Sequence, residues 1–246
     1  MRIARIATET GARYAVENTD SWDFIEDPFA TSVRRTGSSV PREEARLLAP
    51  SVPSVILGMA HNGSPADRPA HPQAFHKSAR TAAGPGDLVY LDPSLGRTVI
   101  EGELGIVIGR TARNLTLENA LDAVLGYTVA NDVSAAEQSA LDSFWTQTKN
   151  GENFSPIGPW IDTDFDPSDA TIRVTVNGEH VVSASTAQLA RNVAEVLVYA
   201  TRYVTLGPGD VIMCGCPGTM CAVQPGDEFE IEIVGLGTLA NTASSR

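Results

Sequence analysis

Apolar and polar side chains alternate through the first fifty residues. Ile3–Ile6 and Arg13–Glu17 keep the two-residue period of half-buried strands, and Asp20–Glu26 places Trp22 and Phe24 at the same spacing. Pro41 opens a short predicted helix over Arg42–Leu48. Ala49-Pro50-Ser51-Val52-Pro53 then reads as a linker, because its two prolines hold the backbone extended. The expectation is a small β-rich N-terminal unit over residues 1–50 and a larger domain over 51–246.

Past the linker, a Pro-Gly-Asp turn precedes a predicted strand three times. Pro85-Gly86-Asp87 leads into Leu88–Leu91, Pro208-Gly209-Asp210 into Val211–Cys214, and Pro225-Gly226-Asp227 into Glu228–Val234. Proline presets one turn angle and glycine supplies the positive one. Asn177-Gly178, between Ile172–Val176 and Glu179–Ser183, predicts a hairpin with a type I′ turn. Ile106–Ile108 has the unbroken apolar run of a buried strand. Three helices are expected: Leu117–Leu125 capped by Thr116, Ser134–Ser143, and Ala187–Tyr203, whose Leu189, Val193, Leu197, Ala200 and Val204 form a stripe. Many strands and few helices predict an α+β, mainly β fold, a mixed β-roll or sandwich.

At 246 residues and 42% hydrophobic, the chain can bury a sizeable core. A formal net charge of -12 leaves no basic surplus to neutralise phosphates, which argues against nucleic acid and anionic membranes. No apolar run has membrane-spanning length and the start lacks a signal-peptide pattern, so a cytoplasmic protein is expected. Cys214, Cys216 and Cys221 are an odd set in one segment, read as reduced thiols rather than a disulfide framework or zinc site. No glycine-rich phosphate loop follows a strand, so no nucleotide cofactor is expected.

Glu101 and Glu103 are the first candidates for chemistry. Two residues apart on a strand, they face the same side, next to an apolar run that resists their desolvation. A hard divalent cation resolves that conflict; a solvated strand edge is the plainer alternative. Asp132 falls where the strand Gly126–Asn131 ends, as a functional acid or a helix cap. Lys149 lies between Trp145 and Phe154 in a turn-rich stretch, and Cys214-Gly215-Cys216-Pro217-Gly218 closes a strand with glycines that permit close backbone approach.

Taken in order, these fragments resemble the fumarylacetoacetate hydrolase family over about residues 55–240. The matching series is Phe75-His76-Lys77, the Gly-Pro-Gly-Asp turn at 84–87, Glu101-Gly102-Glu103, Gly126-Tyr127-Thr128, Asn131-Asp132-Val133-Ser134, Trp145 then Lys149, Pro156-Ile157-Gly158-Pro159-Trp160, the long helix, Pro208-Gly209-Asp210-Val211-Ile212, and Gly235-Leu236-Gly237 running to Asn241. The resemblance implies a mixed β-roll, a homodimer, and Mg2+ or Mn2+ held by Glu101, Glu103 and Asp132. In that scheme the metal acts as a Lewis acid on the oxygens of a small 2-oxo or 1,3-dicarbonyl acid and stabilises the enolate left when a C–C bond breaks, by hydrolysis or decarboxylation. Lys149 is then a catalytic cation, and Lys77, Asn62 and Cys216 are substrate-binding candidates.

Departures from the family pattern are equally specific. Ala136 and Ser139 stand where relatives carry arginine and often glutamine, and Cys214 and Cys216 stand in place of threonines. No histidine follows Asn62 at the spacing of the family's water-activating lid; His61, His71 and His76 lie nearby, with His71 the catalytic candidate on the expected lid. The alternatives are an isomerase of a 2-hydroxy-dienoate and a ligand binder that has lost catalysis.

Overall fold

The computed structural model describes residues 1–245. They form two β-sheets. Along the larger one the strands run Arg35–Pro41, Ser21–Ile25, Gly11–Glu17, Arg2–Thr8, Ser155–Asp162, Val124–Asn131, Thr98–Ile108, Val211–Met213, Ile56–Ala60 and Gln73–Lys77. The smaller sheet runs Glu179–Ser185, Thr171–Val176, Glu228–Ile233, Gly237–Ser245 and Leu88–Leu91. Mostly β with few helices, this is the mixed β-roll architecture expected from the pattern.

The strand Thr98–Ile108 organises the molecule because its two faces have different partners. Ile100, Leu104 and Ile106 point into the main core with Ile172, Val174 and Ile231 of the smaller sheet. Gly102 shares that face, and a Cβ there would lie 3.0 Å from the Ile231 methyl, so glycine lets the sheets close together. The opposite face therefore carries Val99, Glu101 and Glu103.

The first fifty residues add strands to the larger sheet. Arg2 and Ile3 pair with Asp162 and Ile161, and Ile3, Val16 and Ile25 share a core cluster with Ile56 and Ile157. Asn177 at φ 52 and Gly178 at φ 79 both take the positive φ that a type I′ hairpin demands. All three Pro-Gly-Asp glycines also have positive φ.

The helices differ from expectation. Leu117–Leu125 holds one 3-10 turn, Leu121–Ala123, rather than a full helix: Leu117 and Leu121 are 59% and 54% exposed, so no leucine stripe anchors a longer one. The Asn119 side chain instead accepts from the Thr116 N–H in a turn, and Val124 and Leu125 enter a strand. Ser134–Ser143 gives a two-residue strand, Ser134–Ala135, and a 3-10 turn over Ala136–Ala140, because Val99 and Thr98 pair with that backbone. The long helix begins at Val193 rather than Ala187, where Asn192 and Glu195 form a reciprocal cap, and it ends at Tyr203. Arg42–Leu48 is one 3-10 turn, Arg42–Glu44, after which Leu47–Leu48 pairs with Ile6 and Arg5.

Candidate active site

Pairing of Thr98–Ile108 with Val124–Asn131 brings the acids together. Gly102 lies opposite Asn131, so the chain leaves its strand at Asp132 beside Glu101. The Asp132 N–H donates to the Glu101 carbonyl at 3.0 Å, and the Asn131 side chain accepts from the Glu101 N–H at 3.1 Å. Carboxylate oxygens of Glu101, Glu103 and Asp132 all lie within 4.8 Å of one another.

Two lysines reach this cluster from different elements. Lys77, last residue of Gln73–Lys77, donates to Asp132 Oδ1 at 2.5 Å and to the Val133 carbonyl at 3.1 Å. The short helix Thr146–Lys149 delivers Lys149, whose ammonium donates to Glu101 Oε1 at 3.1 Å and to Asp132 Oδ2. It also sits 4.8 Å from the Phe75 ring centre. Ser134 is no helix cap here; its hydroxyl donates to Glu101 Oε1 at 2.7 Å. The Gly215 N–H donates to Glu103 Oε2 at 2.6 Å.

Burial and charge set the protonation states. Burial works against ionised Asp132, but the ammonium groups of Lys77 and Lys149 outweigh it and hold its pKa below the usual value. Burial also opposes charge on Lys149, yet Asp132 and Glu101 raise its pKa. Lys77 is lowered by burial, with Lys149 adding to the effect. Glu103 is pushed well above the carboxylate range by burial first and by the Asp132 and Glu101 charges next. Three carboxylates thus face two ammonium groups, and the acid without a lysine carries the strain. Glu101 Oε2 and Glu103 Oε1 accept no hydrogen bond from the described residues. Converging, partly unpartnered carboxylate oxygens with surplus negative charge fit a hard divalent cation.

The cluster lines a cavity of about 360 Å³. Lys149, Asn62 and Cys216 line it with the three acids. Lys77 stands behind Asp132, outside that lining. His71 and His76 are exposed and also lie outside it, whereas His61, at φ 53, is the imidazole on the wall. The Asn62 amide is fully used as a brace: it donates to the carbonyls of Cys214 (2.6 Å) and Arg191 (3.2 Å) and accepts from the Arg191 N–H (2.7 Å). Burial pushes the Cys216 thiol up to about 12, so it faces the cavity uncharged.

Sequence reasoning missed Arg191. It is buried, and its guanidinium binds the carbonyls of His61, Arg68 and Ala70, fastening the segment that carries His61. No local pattern marks an arginine that works through backbone carbonyls. Asn62→Ala strands three polar groups at this joint and is expected to cost about 2–3 kcal/mol, read by chemical denaturation.

Residues 54–244 match the family described as fumarylacetoacetate (FAA) hydrolase, C-terminal. The chain belongs to this family. Residues 1–50 match the Rv2993c-like N-terminal family. Protein Rv2993c of Mycobacterium tuberculosis is 36% identical over 261 residues, covering 98% of this chain and 97% of that one. The crystal structure of a Mycobacterium smegmatis 5-carboxymethyl-2-hydroxymuconate delta-isomerase superposes with a TM-score of 0.95 at 35% identity, covering both chains completely. The 4-hydroxyphenylacetate degradation bifunctional isomerase/decarboxylase of Salmonella dublin is 35% identical over 176 residues, 69% of this chain and 39% of that longer one. Family members of this kind are enzymes acting on small molecules, and the acidic triad suits the divalent metals that the family binds.

Proposed function

We propose that this protein forms an enolate from a small 2-oxo or 1,3-dicarbonyl acid by breaking a C–C bond, in decarboxylation or hydrolytic cleavage. The observation that carries this is the convergence of Glu101, Glu103 and Asp132, with Lys149 beside them, on the wall of one cavity. Glu101, Glu103 and Asp132 would hold Mg2+ or Mn2+. Such a cation supplies Lewis-acid stabilisation of the negative charge that develops on the keto oxygen.

The chain's own groups do the rest. Lys149, kept protonated by Asp132 and Glu101, places a fixed positive charge where the enolate oxygen or substrate carboxylate would lie. Lys77 orients Asp132 from behind, and Ser134 orients Glu101. Phe75 and Trp145, rings 5.1 Å apart, wall the Lys149 side and limit water there. A second reading, movement of a double bond in a 2-hydroxy-dienoate, is supported by the isomerase names of the relatives and by a proton shift needing no attacking water. A homodimer in the cytoplasm completes the proposal; no helix of the described residues is long and apolar enough to cross a membrane.

The deciding experiment incubates the protein with oxaloacetate, acylpyruvates and 2-hydroxy-dienoates in Mg2+, Mn2+ or chelator, followed by absorbance and mass spectrometry. Metal-dependent release of carbon dioxide or of two acids is the expected result. Metal-dependent solvent-deuterium uptake without cleavage would select the isomerase. Turnover that is unchanged in chelator would sink both.

A further inference from the structure

Outward from the acids, the same face of the strand continues as a ladder of cross-strand pairs. The Asp132 N–H donates to the Glu101 carbonyl, Ser134 lies opposite Val99, and the Ala136 N–H donates to the Arg97 carbonyl at 2.9 Å. Successive rungs are two residues apart, so all three present their side chains to one side. The first two rungs and Ala136 line the cavity. Arg97 is the remaining member, exposed at the rim and roughly 13 Å along the strand from Glu101.

Among the described residues Arg97 makes no side-chain hydrogen bond or ion pair, although acidic side chains outnumber Lys and Arg 30 to 18. Glu137, next on the facing segment, packs against Gly96, where a Cβ would lie 2.2 Å from its Oε2, and forms no ion pair with Arg97. The rung itself is held in place: Gln138 Nε2 donates to the Leu95 carbonyl at 2.9 Å, tying the turn after Ala136 to the segment before Arg97. Opposite Arg97 stands the small methyl of Ala136, so the arginine stem can lie across it and bring its head over the cavity mouth. Deeper in, Lys149 is the one ammonium or guanidinium group among the described lining residues, and Asp132 and Glu101 already engage it. A second anionic group on a ligand therefore finds its free cation at Arg97.

We infer that Arg97 binds a second carboxylate at the far end of the substrate, and so selects dicarboxylic 2-oxo acids over monocarboxylic ones of the same length. This rests on the acidic cluster holding the reactive head, as proposed above. Arg97 sets specificity and takes no part in the chemistry, because it lies a whole rung beyond Val99 and away from the reacting atoms.

Calorimetry on the Mn2+-loaded protein tests this with two unreactive analogues of equal length, N-(3-carboxypropyl) oxamate and N-butyl oxamate. Their heads are identical and only the far ends differ. The carboxypropyl compound is expected to bind about tenfold tighter, because the guanidinium fork pairs with its carboxylate. Arg97→Met should cut that preference to about twofold or less while leaving the butyl compound's affinity unchanged. Arg97→Met/Ala136→Arg moves the guanidinium to the opposite strand of the same rung and should restore a preference of about fivefold. Equal or tighter binding of the butyl compound to the parent, or a preference that survives Arg97→Met, overturns the inference and leaves the proposed reaction standing. Failure of both analogues to bind overturns the inference together with the proposed head site. An Arg97-dependent preference with no turnover of any 2-oxo acid supports the inference while refuting the proposed reaction, so the two failures are separable.

Discussion

Replacing Asp132 by alanine is expected to destabilise the metal-free protein by about 3–5 kcal/mol, a loss of about 10 °C in melting temperature. The cause is not the lost carboxylate itself. Asp132 is 2% exposed and neutralises two buried ammonium groups, Lys77 at Oδ1 and Lys149 at Oδ2. Lys149 keeps Glu101 as a partner, but Lys77 keeps only the Val133 carbonyl. An uncompensated buried ammonium either remains charged at high cost or gives up its proton, and burial already lowers Lys77 in that direction. The double variant Asp132→Ala/Lys77→Met should therefore recover more than half of the loss, because breaking a buried pair costs far more than removing both members. Glu101→Ala offers the contrast: Glu101 is less buried and Asp132 still holds Lys149, so about 1 kcal/mol is expected. Thermal melts in chelator measure all three, free of metal linkage. An Asp132→Ala protein as stable as the parent, or a double variant no better than the single, would mean that the lysines are not dependent on Asp132.

How much of this was legible in the sequence follows the range of the interactions. The two-residue spacing of Glu101 and Glu103 is enough to put both on one strand face, and alternation against Gly102 and Leu104 puts that face opposite the core. Asn177-Gly178 specifies its hairpin through backbone angles alone. Helix Leu117–Leu125 failed because a capping threonine and leucines at helical spacing describe a helix only if one face buries them together; Leu117 and Leu121 stay more than half exposed, and Leu125 packs from a strand instead. Ser134 illustrates a tertiary override. Its hydroxyl could cap a helix, but Glu101 from a distant strand takes it and the backbone pairs with Val99. Arg191 and the Asn62 brace were invisible because their partners are backbone carbonyls and N–H groups more than a hundred residues away.

Glu103→Gln should separate stability from metal binding in opposite directions. In chelator at neutral pH the variant is expected to be more stable than the parent by about 1–2 kcal/mol, while its affinity for Mn2+ falls at least about 100-fold. Glu103 has no lysine; burial, then the charges of Asp132 and Glu101, raise its pKa well above the ordinary 4.5. The folded chain therefore holds this proton more tightly than the unfolded chain does. Stability from the group is complete below pH 4.5 and is lost as pH rises toward the folded-state pKa. Glutamine keeps the shape, can still accept the Gly215 N–H, and has no proton to lose, so that decline disappears. A bound divalent cation would offset the same repulsion in the parent, so metal should flatten the parent's pH dependence and leave the variant's unchanged. Denaturant titrations from pH 5 to 8, with Mn2+ and with chelator, read both effects. If the metal-free parent gains stability with rising pH over that range through Glu103, or if the variant binds Mn2+ as tightly as the parent, then Glu103 is neither the strained acid nor a ligand of this site.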